Sequence, residues 1–197
     1  KEVSSTANAD CQKNLRSKDI ESIFTACRLG TNRSGSTPTF AVIGDSHAAA
    51  LAPGLDALAK KRGITGLNLS HNSCFPSLAD GSYLPKDKAQ QDCMKVRDNI
   101  RSILQAREAP NNVFLVARWA VTVEQTRFDN KEGGRERGKK VTYENSSSTN
   151  LSYVDSINNE LDETIEILRA YGINPIIVEQ IPEVGWNPLS GLIKMRL

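Results

Sequence analysis

The chain has 197 residues, 39% of them hydrophobic and 24% charged, which is typical of a soluble globular protein long enough to form one domain with its own core. A net charge of +2, with no basic cluster interleaved with aromatic residues, argues against nucleic-acid binding. No apolar run is long enough to cross a bilayer, and the polar start KEVSS is not a signal peptide. If the protein is exported, its exporting segment lies outside these residues.

The first half of the chain alternates between strand and helix patterns. Residues 1–37 are polar and end in a turn-rich stretch, which predicts an N-terminal linking extension. A short buried strand is predicted over 39–43, and apolar residues at steps of three and four then predict a helix over 47–62. A second strand is predicted over 64–69.

The second half repeats the alternation. A helix is predicted over about 91–107, and VFLVARWAV (113–121) is predicted to be the third strand. The long polar loop 126–150 follows, which we expect to be mobile and close to the site. The next helix carries apolar residues from 154 to 168, and NPIIVEQIP (174–182) is the fourth predicted strand.

This order of elements predicts the fold class. Continuous apolar strands separated by helices are typical of a parallel sheet that is covered on both faces. Right-handed crossovers then give a doubly wound α/β/α sandwich with flavodoxin-like topology. We expect residues 38–197 to form this domain, incomplete at its C-terminus.

Ser46 lies where a ligand is expected in such a domain. Open parallel sheets bind ligands at the carboxyl ends of their strands, and Ser46 follows the first strand and begins the first helix. The helix dipole and the free N–H groups there favour negative charge. The residue could therefore be a nucleophile, a helix N-cap or a phosphate ligand.

The cysteines bear on compartment and on metal binding. They are Cys11, Cys27, Cys74 and Cys93. Their spacings match no Cys-x-x-Cys pattern, and only His47 and His71 could add imidazole, so no metal site is expected. Two disulfides explain them better than four buried thiols in a cytosolic protein. Three pairings are possible, and the two local pairs, Cys11–Cys27 and Cys74–Cys93, are the simplest. Disulfides imply an oxidising compartment.

A family resemblance adds to this interpretation. The sequence Gly44-Asp45-Ser46-His47 after a buried strand resembles the first block of the SGNH/GDSL hydrolase superfamily. With the Ala-rich helix that follows, it is similar to the SGNH domains fused to acyltransferase-3 membrane proteins, which O-acetylate bacterial surface polysaccharides including lipopolysaccharide O-antigen. Cys27, NSCFPSL after the second strand, VFLVARW and VEQIPE extend the similarity over roughly residues 11–185.

The resemblance implies roles for individual residues. Ser46 would be the acyl-accepting nucleophile, with its own N–H and one from the loop His71–Cys74, including Ser73, as oxyanion donors; Asp45 and His47 would flank the pocket. The superfamily's G-x-N-D block is replaced by Ala117-Arg118-Trp119. An N–H of Arg118 or Trp119 could substitute for the missing Asn, and the alternative is a strand-end Arg and a packing Trp.

The catalytic base is not visible in the sequence. The superfamily takes its His from a D-x-x-H segment near the C-terminus, and residues 182–197 contain neither His nor Asp. We expect the base to lie beyond Leu197. The alternatives are His47, His71, or an incomplete and inactive form.

The resemblance also implies a reaction and a setting. The expected reaction is acetyl transfer to a sugar hydroxyl of a polysaccharide such as O-antigen, through an acyl-Ser46 intermediate and without a cofactor in this domain. The acetyl group, ultimately from acetyl-CoA, would come from a transmembrane acyltransferase domain preceding Lys1. The chain would be a periplasmic domain of a bacterial inner-membrane protein, monomeric in isolation. The alternatives are a secreted carbohydrate esterase and a non-catalytic glycan-binding or acyl-handover module.

Overall fold

The computed structural model describes residues 5–17, 19–31, 37–80, 84–85, 88–106, 109–129, 131, 135–136, 143–144 and 152–180. In chain order the elements are α1 (Ser5–Asn14), α2 (Ile20–Ala26), β1 (Arg28–Gly30), β2 (Phe40–Gly44), α3 (Ser46–Arg62), β3 (Thr65–Ser70), β4 (Leu84–Pro85), α4 (Lys88–Gln105), β5 (Asn112–Val116), α5 (Trp119–Glu124), β6 (Tyr143–Glu144), α6 (Tyr153–Ala170) and β7 (Asn174–Val178). Over these residues, no helix combines the length and the apolarity that a bilayer span requires.

The main sheet has five strands in the order β1-β3-β2-β5-β7. The four strands β3, β2, β5 and β7 are parallel, in the doubly wound order that the sequence predicts. β1, which the sequence analysis did not predict, pairs with β3 antiparallel, so the complete sheet is mixed. The predicted α/β class is confirmed.

Helices cover both faces because successive residues of a strand point to opposite sides of the sheet. Ala41 and Ile43 of β2 belong to the larger core cluster, together with α4 and α6 residues such as Ile100 and Leu168. Val42, between them, packs in the second cluster with the α3 alanines. The core therefore lies in two layers, one on each side of the sheet. In the described part of the chain, α3 is the helix whose residues pack on the β2 side that carries Val42.

The N-terminal segment belongs to this core. Cys11 and Leu15 of the α1 region and Ile23 of α2 are buried in the larger cluster, and β1 extends the sheet with Leu29 opposite Gly66. The described part of the predicted linking extension is therefore packed structure. Five of its apolar side chains are buried, those of Cys11, Leu15, Ile23, Cys27 and Leu29, which a count of polar residues does not reveal.

Both local disulfides are present, which confirms the simplest pairing. Cys11–Cys27 has a Cα–Cα distance of 4.7 Å and Cys74–Cys93 one of 5.5 Å.

The predicted third strand is too long. β5 ends at Val116, and residues from Trp119 onwards form α5. The chain leaves the sheet here because the N–H of Arg118 donates to the Asp45 side chain instead of to a neighbouring strand. Of the predicted loop 126–150, the structure describes 126–129, 131, 135–136 and 143–144, and the remainder, like the end of the predicted fourth strand, lies outside the described residues.

Candidate functional site

The carboxyl ends of β2 and β5 approach closely at Gly44. Gly44 pairs with Val116, and a Cβ atom at Gly44 would lie 1.7 Å from the Val116 carbonyl oxygen. Its φ angle of 151° is also one that side-chain-bearing residues rarely adopt. The first position of the Gly-Asp-Ser-His sequence therefore requires glycine.

Asp45 connects the ends of these two strands and caps α3. One carboxylate oxygen accepts the N–H of His47 at 2.8 Å, and the other accepts the N–H of Arg118 at 2.9 Å. The backbone at Asp45 is extended, as expected for an N-cap residue. Asp45 therefore occupies the N-cap position, and the N-cap role considered for Ser46 does not apply.

Ser46 is the first residue of the 17-residue helix α3 and is exposed. Among the described residues, neither its hydroxyl nor its N–H has a hydrogen-bond partner. The first N–H groups of a helix have no partner within the helix and carry the positive end of its dipole. The geometry thus offers a hydroxyl and an N–H donor together at the carboxyl edge of the sheet.

The loop after β3 lies beside this position. The N–H of His71 donates to the carbonyl of Gly44 at 2.9 Å, which holds the loop against the end of β2. Ser73 is exposed and has a φ angle of 64°, a left-handed conformation that is uncommon outside glycine and is found preferentially at functional sites. The N–H groups of Asn72 and Ser73 have no acceptor in the described part of the chain.

Neither histidine is hydrogen-bonded to Ser46. Nδ1 of His47 lies 3.8 Å from a carboxylate oxygen of Asp45. Nδ1 of His71 lies 3.1 Å from the carbonyl oxygen of Asn72 and 3.3 Å from Sγ of Cys74. Burial lowers the pKa of His71, which favours its neutral form. The described residues therefore pair no general base with the Ser46 hydroxyl.

Arg118 and Trp119 have their polar groups already bound. The Arg118 guanidinium donates to both oxygens of Glu136, at 3.1 Å and 2.6 Å, and Arg127 also donates to Glu136. Arg118 above all, and then Arg127, lower the pKa of Glu136 to about 2. These pairs fix residue 136, within the predicted long loop, at the end of β5.

The Trp119 indole is a packing group. Its Nε1–H donates to the carbonyl of Val178 at 2.7 Å, and its ring meets that of Phe75 edge to face at 5.8 Å. The contacts of Arg118 and Trp119 fit the strand-end and packing alternative, and not the supply of an oxyanion donor from either side chain.

Buried polar residues of α6 contact the segment that follows the loop His71–Cys74. The sequence did not indicate this contact. Thr164 accepts the N–H of Leu78 at 2.9 Å. One turn earlier, Glu160 is 6% exposed, and its carboxylate oxygens have no hydrogen-bond partner within the described structure. Burial raises its pKa to about 9 despite the nearby Ser77 hydroxyl and Arg97 guanidinium, so Glu160 is a neutral acid near pH 7.

Comparison with known proteins agrees with the resemblance in the sequence. The family model that describes the SGNH domain fused to AT3 domains matches residues 10–197. No curated protein and no solved structure matches the chain. Given the extent of the family match, and a Gly-Asp-Ser-His turn between a buried strand and a helix, the chain belongs to the family of SGNH domains that are fused to AT3 domains.

Proposed function

We propose that this domain transfers an acetyl group to a sugar hydroxyl of a bacterial surface polysaccharide such as O-antigen, through an acyl group carried on Ser46. The observation that carries the proposal is the position of Ser46. Ser46 is exposed at the start of α3, and its N–H has no hydrogen-bond partner within the described residues. The helix is capped by the side chain of Asp45 and not by Ser46.

The chemistry follows from these donors. The Ser46 oxygen attacks the carbonyl carbon of the acyl donor while a base takes the hydroxyl proton. The N–H of Ser46 and an N–H of the neighbouring loop at Asn72 or Ser73 stabilise the oxyanion. The donor's leaving group departs with a proton and leaves an ester on Ser46. The sugar hydroxyl then attacks that ester, so that the product is acetylated sugar and the serine is restored.

The setting follows from the family. Its members are fused to AT3 domains, and we place the acetyl supply in such a membrane partner, with acetyl-CoA as the ultimate source. The two disulfides are of the kind that persists in oxidising compartments, which supports a periplasmic location. No cofactor enters the proposed reaction in this domain.

The proposal is tested by Ser46→Ala in the full-length fusion protein, with the O-acetyl content of the polysaccharide as the readout. We expect acetylation to fall by orders of magnitude. The stability of the fold should change little, because the capping carboxylate of Asp45 is retained.

The matched control is Ser152→Ala, because Ser152 is the N-cap serine of α6 and its hydroxyl accepts the N–H of Asp155 at 3.2 Å. This variant should lose about 0.5–2 kcal/mol of stability and keep its acetylation activity. Undiminished acetylation by folded Ser46→Ala protein would contradict the proposal.

The unpaired Ser46 hydroxyl also favours a second candidate, a module that binds glycan without catalysis. Mass analysis after incubation with an activated aryl acetate separates the two. Acetyl on the peptide containing Ser46 supports the acyl-enzyme, and an unmodified peptide with retained glycan binding supports the second candidate. Acetate release that sugar acceptors do not diminish would instead indicate an esterase.

A further inference from the structure

Three ligand-type side chains meet at the base of the loop after β3. A ring nitrogen of His71 and the sulfurs of Cys74 and Cys93 all lie within 4.8 Å of one another. Both sulfurs are buried, with Cys74 5% and Cys93 3% exposed. Nδ1 of His71 is 3.3 Å from Sγ of Cys74. The sulfurs form a disulfide here, so the three groups are a ligand set only when that bond is reduced.

The second disulfide shows that this arrangement is not a general property of the fold. Sγ of Cys11 lies 2.9 Å from the carbonyl oxygen of Asn68, and Cys11 and Cys27 are buried in the large apolar cluster. In the described part of the chain, no histidine or carboxylate joins Cys11 and Cys27 in a ligand group. In the described structure, the imidazole of His71 lies beside the Cys74–Cys93 disulfide, and no imidazole lies beside Cys11–Cys27.

We propose that reduction of Cys74–Cys93 converts this cluster into a Cys₂His site for a thiophilic divalent cation such as Zn²⁺. A dithiol reductant supplies two electrons and two protons to the S–S bond, which leaves two protein thiols and the oxidised dithiol. Metal binding then displaces the two thiol protons and forms two metal–sulfur bonds and one metal–nitrogen bond. The fourth position of a tetrahedral ion is left for water.

The distances suit this change. Zinc–sulfur bonds of about 2.3 Å and zinc–nitrogen bonds of about 2.0–2.1 Å place tetrahedral ligand atoms roughly 3.5–4 Å apart. The three atoms already lie within 4.8 Å, so the sulfurs need only separate from bonding distance. His71 would direct the Nδ1 lone pair at the ion, and its present contact with the Asn72 carbonyl would be lost.

The sequence concealed this site because its ligands are far apart in the chain. Cys93 is 19 residues from Cys74, and the start of α4 must pack on the loop to bring them together. The N–H of His71 also donates to Gly44, so the proposed site borders the Ser46 turn. The loop would then have two cross-linked states, one held by a disulfide and one by a metal.

The test uses the whole chain, reduced with a phosphine that contributes no thiol. Zn²⁺ is titrated in competition with a chromophoric chelator, and Co²⁺ is added separately to detect thiolate-to-metal absorption. We expect one equivalent of Zn²⁺ to bind after reduction and none to bind to the oxidised protein. His71→Asn should weaken binding to the reduced protein at least tenfold, because one of three ligands is lost.

Two paired variants give the matched comparison. Cys11→Ser with Cys27→Ser should keep the equivalent of zinc, and Cys74→Ser with Cys93→Ser should lose it. An unfolded chain also binds zinc through its thiols. Circular dichroism identifies that case by the loss of helical signal, and His71→Asn identifies it because zinc binding to an unfolded chain would not depend on His71. Reduced protein that refolds on adding zinc supports the site. Failure to bind zinc, binding that persists without Cys74 and Cys93, or binding that ignores His71 would overturn it.

Discussion

Asp45 and Ser46 are adjacent residues with separate tasks. The Asp45 carboxylate accepts main-chain N–H groups from both α3 and the end of β5, which fixes the turn between β2 and α3. The Ser46 hydroxyl then has no hydrogen-bond partner among the described residues, while its backbone is held in place at the start of α3. This division is what a reactive serine needs, because its position is set by neighbours that do not use its hydroxyl.

Gly44 provides the strongest prediction at the scale of one residue. Gly44→Ala should destabilise the fold by more than about 3 kcal/mol, since the new methyl group would collide with the main chain of Val116. Urea denaturation measures the loss. Gly54→Ala is the control, because nothing lies within 4 Å of a Cβ at that exposed position of α3. It should gain about 0.5–1 kcal/mol, and an equal response of the two variants would contradict the account of Gly44.

At the scale of one element, the buried face of α6 carries both apolar and polar residues. Its apolar residues Ile157 and Leu168 are in the core, as the helical periodicity predicts. Ser156, Glu160 and Thr164, four residues apart, are also buried, and they form a polar row on this face that Leu168 continues. The bond from the Leu78 N–H to Thr164 shows that this row faces the segment after the loop. A buried neutral acid in this row makes the packing sensitive to pH.

Glu160→Gln should remove a pH dependence of stability. The folded-state pKa of Glu160 is raised to about 9 from 4.5, so the native state holds its proton more tightly than the unfolded chain does. The contribution of Glu160 to stability is therefore fully present below about pH 4.5 and is lost as the pH rises toward about 9. Glutamine is neutral throughout, so the variant should gain relative to the parent with rising pH, by at most about 1.4 kcal/mol per pH unit.

The measurement is the urea midpoint of both proteins across that pH range. Glu166→Gln is the control, since Glu166 is exposed on the same helix. It should follow the parent protein at every pH. Parallel curves for Glu160→Gln and the parent would show that Glu160 is ionised and solvated in the folded protein.

At the scale of the whole molecule, the sequence predicted the order of the four parallel strands and the helices between them. These elements are recognisable because their apolar residues follow the period of a helix or fill a short buried run. The same rule failed for VFLVARWAV, since an apolar run does not reveal that Arg118 turns toward Asp45. The rule also missed β1, which pairs with β3, because a strand of three residues is too short to show an alternating or continuous apolar pattern.

The candidate site was predictable only in part. The Gly-Asp-Ser-His sequence predicts Ser46 as the candidate nucleophile, because this motif is local in the chain and resembles that of a known family. The partners of that turn come from distant parts of the chain, as with the hydrogen bond between Asp45 and Arg118. Such contacts depend on β2 pairing with β5, and no spacing within the sequence encodes them. Glu160 was missed for a related reason, since its burial is a property of the assembled layers.

The two disulfides should contribute unequally to the stability of the whole domain. Their sequence separations of 16 and 19 residues give nearly equal loop-entropy terms of about 3 kcal/mol each. A difference between them must therefore arise in the folded state. Cys11–Cys27 is buried in the main core with Leu15 and Ile23, and it holds α1 and α2 against the sheet. Cys74–Cys93 forms a small cluster of its own.

Replacing Cys11 and Cys27 with Ala should lower the free energy of unfolding more than replacing Cys74 and Cys93, as measured by urea denaturation under non-reducing conditions. Equal losses would show that the N-terminal helices dock without their cross-link, and four alkylatable thiols in the native protein would contradict the disulfides themselves.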